Sequence, residues 1–182
     1  MVKPRGEFSV RLQGLNPSSD EIAEPAMKAH MTLPDGHLIR PLRQADLPAV
    51  HEIECSCQAQ PWTVAHFEAE RDHPCSSIDV YQWGDAVAGF LCSWLIADEL
   101  QIQNLATAQD FRRKGVAWHL LEHVLDRTLC SGMEAAWLEV RASNLPAIAL
   151  YREHGFQDES RRPNYYHDGE DALIMAFHRN RR

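Results

Sequence analysis

Between Glu99 and Val140 the apolar period changes from two to 3.6 and back again, which constrains the fold more than any other feature of the chain. Glu99–Thr107 and Ala135–Val140 read as strands. Val116–Cys130 between them reads as an amphipathic helix, with Val116, Leu120, Leu121, Val124, Leu125 and Leu129 on one face. A strand, a helix and a strand in succession imply a helix packed on a sheet.

The flanking sequence extends this unit on both sides. His37–Leu42 reads as a strand and Gln44–Gln58 as a helix with Leu47, Val50 and Ile53 at helical spacing. Pro61-Trp62-Thr63 breaks the chain, and Thr63 is a cap for a second helix running to Arg71. Ser77–Trp83 and Ala86–Ile96 form a hairpin about Gly84-Asp85. Pro146–His154 is a helix closed by Gly155, and Phe156–Arg161 and Asp171–Phe177 are the last strands. The class is α/β of the α+β type, with early hairpins and late β-α-β units.

Residues 1–36 read differently. Prolines, glycines and serines from Pro4 to Gly36 interrupt any periodicity, so the segment is expected to be an extension, flexible or draped on the domain. The domain is expected over 37–178, and 179–182 as a basic tail.

Of the 182 residues 45% are hydrophobic, enough for one domain with a real core. The formal net charge of -8 disfavours an extended nucleic-acid surface, which needs clustered Lys and Arg. No apolar run approaches the ~20 residues that span a bilayer, so no membrane partner is expected. Met1–Asp20 lacks the apolar centre of a secretory signal. The cysteines, Cys55, Cys57, Cys75, Cys92 and Cys130, are odd in number and form no CxxC pair. Free thiols in a reducing cytoplasm are the expectation.

Two segments carry chemistry. The first, Leu105-Ala106-Thr107 through Arg112-Arg113-Lys114-Gly115-Val116-Ala117, runs from a strand into the long helix. Small residues at Gly115 and Ala117 let backbone N–H groups approach a ligand, and a helix start favours anions. A pyrophosphate fits, though a solvated basic turn with a packing glycine fits the same spacing. Arg112-x-x-Gly115-x-Ala117 resembles the Q/R-x-x-G-x-G/A motif of the GNAT acetyltransferases.

The second segment is Trp137-Leu138-Glu139-Val140-Arg141-Ala142-Ser143-Asn144, then Ala149-Leu150-Tyr151-x-x-x-Gly155-Phe156, with Asn164-Tyr165-Tyr166-x-Asp168-Gly169-Glu170-Asp171 beyond it. These runs resemble the RimI branch of the same family, over about His37 to Phe177. The resemblance implies a GNAT fold. That is a mixed, mostly antiparallel sheet, splayed at an acetyl-coenzyme A site and flanked by about four helices. It implies acetyl-coenzyme A as co-substrate without a metal, and transfer to the N-terminal alanine of the eighteenth small-subunit ribosomal protein. Broader N-terminal acetyltransferases, and a non-catalytic acyl-coenzyme A-binding module, are the alternatives. By the resemblance Arg113, Lys114, Gly115, Val116, Ala117 and Trp118 cradle the pyrophosphate, and Leu105, Ala106 and Thr107 pair with the pantetheine arm.

The roles can be weighed as chemistry. An α-amine titrates near ~8 against ~10.4 for lysine, so only a modest base is needed. Glu139 suits that base, unless it is a surface glutamate paired with Arg141. Tyr151 stays protonated and suits an acid for the leaving sulfur, unless it is a core tyrosine. Asn144 is either a coenzyme contact or the cap of the following helix. Trp62, Tyr165 and Tyr166 are candidates to wall the acceptor peptide or to pack on the sheet. Asp168, Glu170 and Asp171 either attract a basic peptide or form a solvated acidic turn. His119-Leu120-Leu121-Glu122-His123 matches an inverted zinc-protease motif, but its helix spends its apolar face on packing.

Overall fold

The computed structural model describes residues 33–179. The extension expected over 1–36 therefore lies outside the described residues except at its end, as does most of the basic tail. The first half comprises β1 (His37–Pro41), α1 (Leu47–Cys57), α2 (Val64–Arg71), β2 (Ser76–Trp83), β3 (Ala86–Ile96) and β4 (Glu99–Thr107). The second comprises α3 (Val116–Cys130), β5 (Ala135–Arg141), α4 (Leu145–Glu153), β6 (Gln157–Arg162) and β7 (Ala172–His178). Single 3-10 turns at Gln44–Asp46 and Gln109–Phe111 precede α1 and α3.

The helix expected from Gln44 begins with one of these turns. The Asp46 carboxylate reaches back to the Arg43 N–H (2.7 Å) and the Arg40 guanidinium (2.6 and 2.9 Å). Pro48 then opens α1, where its missing N–H costs nothing. The Thr63 hydroxyl accepts the His66 N–H and starts α2, as its side chain predicts.

The sheet order is β1-β2-β3-β4-β5-β7-β6. Every neighbouring pair is antiparallel except β4–β5, which is parallel and is bridged by α3. The last helix does not close a second parallel pair. The chain leaves β5 through α4 to the outer strand β6, and β7 returns between them.

One residue shapes the middle of the sheet. Opposite β3, Asn104 pairs with Cys92 and Ile102 with Ser93, so Gln103 is an extra, bulged residue. The bulge inverts the alternation of β4. Leu100 and Ile102 belong to the core beneath α3, whereas Ala106 belongs to the core on the opposite face. Pairing with β5 runs from Glu99↔Ala135 to Ile102↔Leu138 and stops at the bulge. The two parallel strands diverge from there.

The sheet carries a core on each face. Under α3 and α4 lie Leu91, Leu100, Leu138, Val140, Leu120, Leu121, Val124, Ile148 and Phe156. Under α1 and α2 lie Val50, Ile53, Phe67, Ile78, Val80 and Phe90. Each large apolar side chain buried this way contributes about 1.5–3 kcal/mol before entropy is counted. Gly89 lets the start of α3 sit against the sheet. A Cβ there would lie 2.7 Å from the Ala106 carbonyl oxygen and 2.8 Å from Val116 Cγ1.

Candidate active site

The cleft between β4 and β5 has a donor side. Ala108 N–H donates to the Ala88 carbonyl (2.9 Å), which sets the phase of the β3–β4 ladder. By antiparallel alternation, Leu105 and Thr107 turn their backbone groups away from β3 and toward the gap. The Thr107 carbonyl accepts from Arg112 Nε (3.4 Å) and from Cys57 Sγ (3.5 Å), while Arg112 Nη2 lies 3.3 Å from that sulfur. Arg112 therefore ties the turn to the end of β4.

The turn itself ends at Gly115, whose φ of +84° suits a residue without Cβ. Gly115 is the N-cap of α3 and supplies no side-chain acceptor, so the N–H groups of Val116, Ala117 and Trp118 open the helix without intrahelical partners. The first intrahelical bond is His119 N–H to the Gly115 carbonyl, 2.9 Å. This row of amides at a positive helix end fits a pyrophosphate. Arg113, also at positive φ (61°), lies in the same turn. Lys114 ends the basic run Arg112-Arg113-Lys114. Its ammonium lies over the rings of Trp83 (5.5 Å) and Phe111 (5.6 Å), so its charge is directed at aromatic faces.

Across the gap, Glu139, Tyr165, Tyr166 and Tyr151 come together. Glu139 projects from β5 on the face opposite Leu138 and Val140. Its Oε1 lies 2.6 Å from Arg162 Nη1, and Tyr165 hydrogen-bonds to its carboxylate. Arg141, the partner of the alternative reading of Glu139, binds Glu170 (2.7 Å) and Asp168 (2.8 Å) instead and lies 3.9 Å over the Tyr166 ring. Tyr165 and Tyr166 meet edge to face at 5.3 Å. Tyr165 is half exposed; burial and its bond to Glu139 push its phenol up to about 12. Tyr151, on α4, is buried beside Phe156, and burial, with Tyr166 adding to it, pushes its phenol far above the ordinary value. It keeps its proton throughout the physiological range.

Asn144 caps α4, its Oδ1 accepting the Ala147 N–H at 3.3 Å. The carboxylates of the acidic turn are paired within the fold. Glu170 accepts the Ser143 N–H (2.8 Å) as well as Arg141, and Asp171 accepts the Asn164 N–H (2.8 Å) and Arg161 (2.7 Å). Ser143, with Arg141 behind it, holds the Glu170 carboxyl at about 2. These carboxylates fasten the β6–β7 turn that carries both tyrosines.

Trp62 lies in the loop between α1 and α2. Its ring packs on Phe67 (5.4 Å) beside the second core, and its N–H donates to Glu54 Oε1 (3.0 Å). Glu54 is 1% exposed and its other oxygen accepts from Asn104 Nδ2 (3.0 Å). Sequence reasoning missed Glu54, although a signal was there. It falls seven residues after Leu47 and four after Val50, in phase with the apolar face of α1. Arg162 was missed too, because its approach to Glu139 depends on register across three strands. His119, from the metal-like motif, is buried against Tyr81 and Trp118, and burial lowers its pKa. Among the described residues no group of His, Cys, Asp and Glu is placed to hold a metal. No helix among them is long and apolar enough to cross a membrane.

A parallel strand pair parted by a bulge, with bare helix amides at one lip and an anchored carboxylate at the other, defines an α/β domain with an anion-binding cleft. The fold and its relatives make the class more particular. Residues 47–156 match the Acetyltransferase (GNAT) family, and the chain belongs to that family. It is 40% identical over 142 residues to the [ribosomal protein bS18]-alanine N-acetyltransferase of Escherichia coli K12, covering 76% of this chain and 95% of the relative. The crystal structure of the E. coli ribosomal-protein-S18-alanine N-acetyltransferase superposes with a TM-score of 0.73 at 37% identity, covering 78% of this chain and 93% of that one. Ard1 from Thermoplasma volcanium superposes equally well, TM-score 0.73, at 28% identity, over 80% of this chain and 99% of its own.

Proposed function

We propose that this chain transfers the acetyl group of acetyl-coenzyme A to the N-terminal α-amine of a protein, with the N-terminal alanine of ribosomal protein bS18 as acceptor. The observation that carries the reading is the cluster of Glu139 with Tyr165 and Tyr166, and of Tyr166 with the buried Tyr151, beside the point where the β4–β5 pairing ends. The acceptor identity rests on likeness to the E. coli enzyme, which spans nearly that relative's whole length.

Acetyl-coenzyme A supplies an activated thioester. The amides of Arg113–Trp118 bind its pyrophosphate, and Leu105, Ala106 and Thr107 align its pantetheine arm along the unpaired edge of β4. Asn144 contacts the coenzyme while capping α4. A Leu105 backbone N–H facing the gap stabilises the developing oxyanion. Glu139 takes the proton of the attacking amine, directly or through water, and Tyr151 donates its proton to the departing sulfur. The amine nitrogen bonds to the acetyl carbon as the carbon–sulfur bond breaks, so no covalent enzyme intermediate is required. Positioning supplies much of the rate. Tyr165, Tyr166 and Trp62 line the approach of the acceptor.

The test is an acetylation assay with three peptides: a basic peptide starting with Ala, its Met-start version, and one with a blocked N-terminus and free lysines. The Ala-start peptide is expected to be the best acceptor. Acetylation of the blocked peptide at a similar rate sinks the α-amine reading. Equal turnover of the Met-start peptide points instead to a broader N-terminal acetyltransferase.

A further inference from the structure

Glu54 is nearly sealed from solvent, yet its two oxygens accept from two neutral amides that belong to different parts of the site. One is the backbone N–H of Trp62, in the loop between α1 and α2. The other is the side chain of Asn104, the residue that follows the Gln103 bulge in β4. A carboxylate withdrawn from water on neutral donors is costly to bury. An apolar residue in the same helical phase would pack there without that cost, so core filling does not explain the choice of residue.

The neighbouring turn of α1 repeats the connection. Cys57, three residues on and hence on the same helix face, reaches the Thr107 carbonyl, three residues beyond Asn104. The end of α1 is thus keyed to β4 at two points. Asn104 adjoins Leu105, whose backbone faces the gap. Trp62 belongs to the loop that the acetyl-transfer reading above assigns to the acceptor side. The Glu54 carboxylate is the polar link between the two.

We propose that Glu54 is a positioning residue that fixes the distance between the acceptor loop at Trp62 and the donor strand at Asn104, and thereby sets the fit of the acceptor N-terminus. The inference rests on the acetyl-transfer reading above and adds a residue that touches neither substrate. Loosening the link moves the acceptor wall while the helix amides that bind the coenzyme stay in place, so the two substrates respond differently.

The test uses the full chain, acetyl-coenzyme A and the Ala-start peptide. Asn104→Asp sets two carboxylates face to face. It is expected to raise the peptide KM about ten-fold or more while the acetyl-coenzyme A KM stays within about two-fold. Adding Glu54→Gln in the same chain exchanges donor and acceptor. Its amide nitrogen donates to Asp at 104 and its oxygen still accepts the Trp62 N–H, so the peptide KM is expected to return to within about three-fold of wild type. Asn104→Ala, which removes the donor without adding charge, is carried alongside in case Asn104→Asp does not fold, and is expected to raise the peptide KM about five-fold.

A purely structural role predicts something else: lower melting temperature and fewer active sites, with both KM values unchanged. That result, or equal movement of both KM values, or no rescue by the double variant, overturns the proposal. If the wild-type chain acetylates no α-amine peptide, the acetyl-transfer reading itself fails and takes this inference with it.

Discussion

Arg162 holds Glu139 across the width of β7, with Nη1 2.6 Å from Oε1. The pair is partly exposed, and Tyr165 hydrogen-bonds the same carboxylate. One carboxylate is therefore oriented by a guanidinium from β6 and a phenol from the turn beyond it. If Glu139 is the base, Glu139→Gln lowers kcat about 10²–10⁴-fold. Arg162→Gln leaves Tyr165 as an anchor and lowers kcat/KM by a smaller factor, about ten-fold. Steady-state kinetics at saturating acetyl-coenzyme A check both. Unchanged turnover in Glu139→Gln removes the residue from the mechanism.

Tyr151 makes a prediction about pH. Burial raises its phenol, and an acid with a raised pKa stays protonated to higher pH. The kcat profile is expected to remain flat from pH ~7 to beyond ~10, where an ordinary tyrosine would already be losing its proton. Tyr151→Phe is expected to lower kcat about 10²-fold without altering the lower-pH limb. An alkaline decline below pH ~10 that vanishes in Tyr151→Phe contradicts the burial argument.

Two glycines near the donor side separate packing from backbone conformation. Gly89→Ala drives a Cβ into the Ala106 carbonyl and Val116, and is expected to destabilise the fold by about 1–3 kcal/mol. Gly115→Ala meets only ordinary contacts, yet its φ of +84° costs about 1–2 kcal/mol for a residue with Cβ. Thermal unfolding should register both. Gly115→Ala is also expected to raise the acetyl-coenzyme A KM more than the peptide KM.

The tyrosine-bearing turn should resist acid. Glu170 has its pKa depressed to about 2 by Ser143 and Arg141. A depressed carboxylate contributes fully above its unfolded value, about 4.5, and loses that contribution as pH falls toward about 2. Hydrogen exchange at the Ser143 amide, which Glu170 holds at 2.8 Å, is expected to stay slow at pH ~4 in the wild type. It is expected to be faster at the same pH in Glu170→Ala. Equal exchange in the two proteins shows that the turn is held by other contacts.

Local pattern carried much of this architecture. The expected limits of β3, β4 and α3 coincide with the observed ones, because alternation and helical period are written in consecutive residues. Thr63 and Asn144 cap the helices their side chains predict. Glu139, Tyr151, Tyr165 and Tyr166 are legible as candidates because each stands in a motif of near neighbours.

Partners across strands were not legible in this way. Glu139 was weighed against Arg141, two residues on and on the same face of β5, but it pairs with Arg162, because β7 inserts between β5 and β6 and sets their register. The acidic turn looked solvent-facing because nothing local shows that Arg141, Ser143 and Arg161 come back to it. The Gln103 bulge leaves no mark in a strand that reads as regular alternation, yet it parts the sheet. By itself, then, the sequence determined the elements, the glycine-started helix and the residues able to do acid–base work. Only the tertiary structure decided which charges neutralise one another and where the sheet opens, because those depend on strand register and burial between residues far apart in the chain.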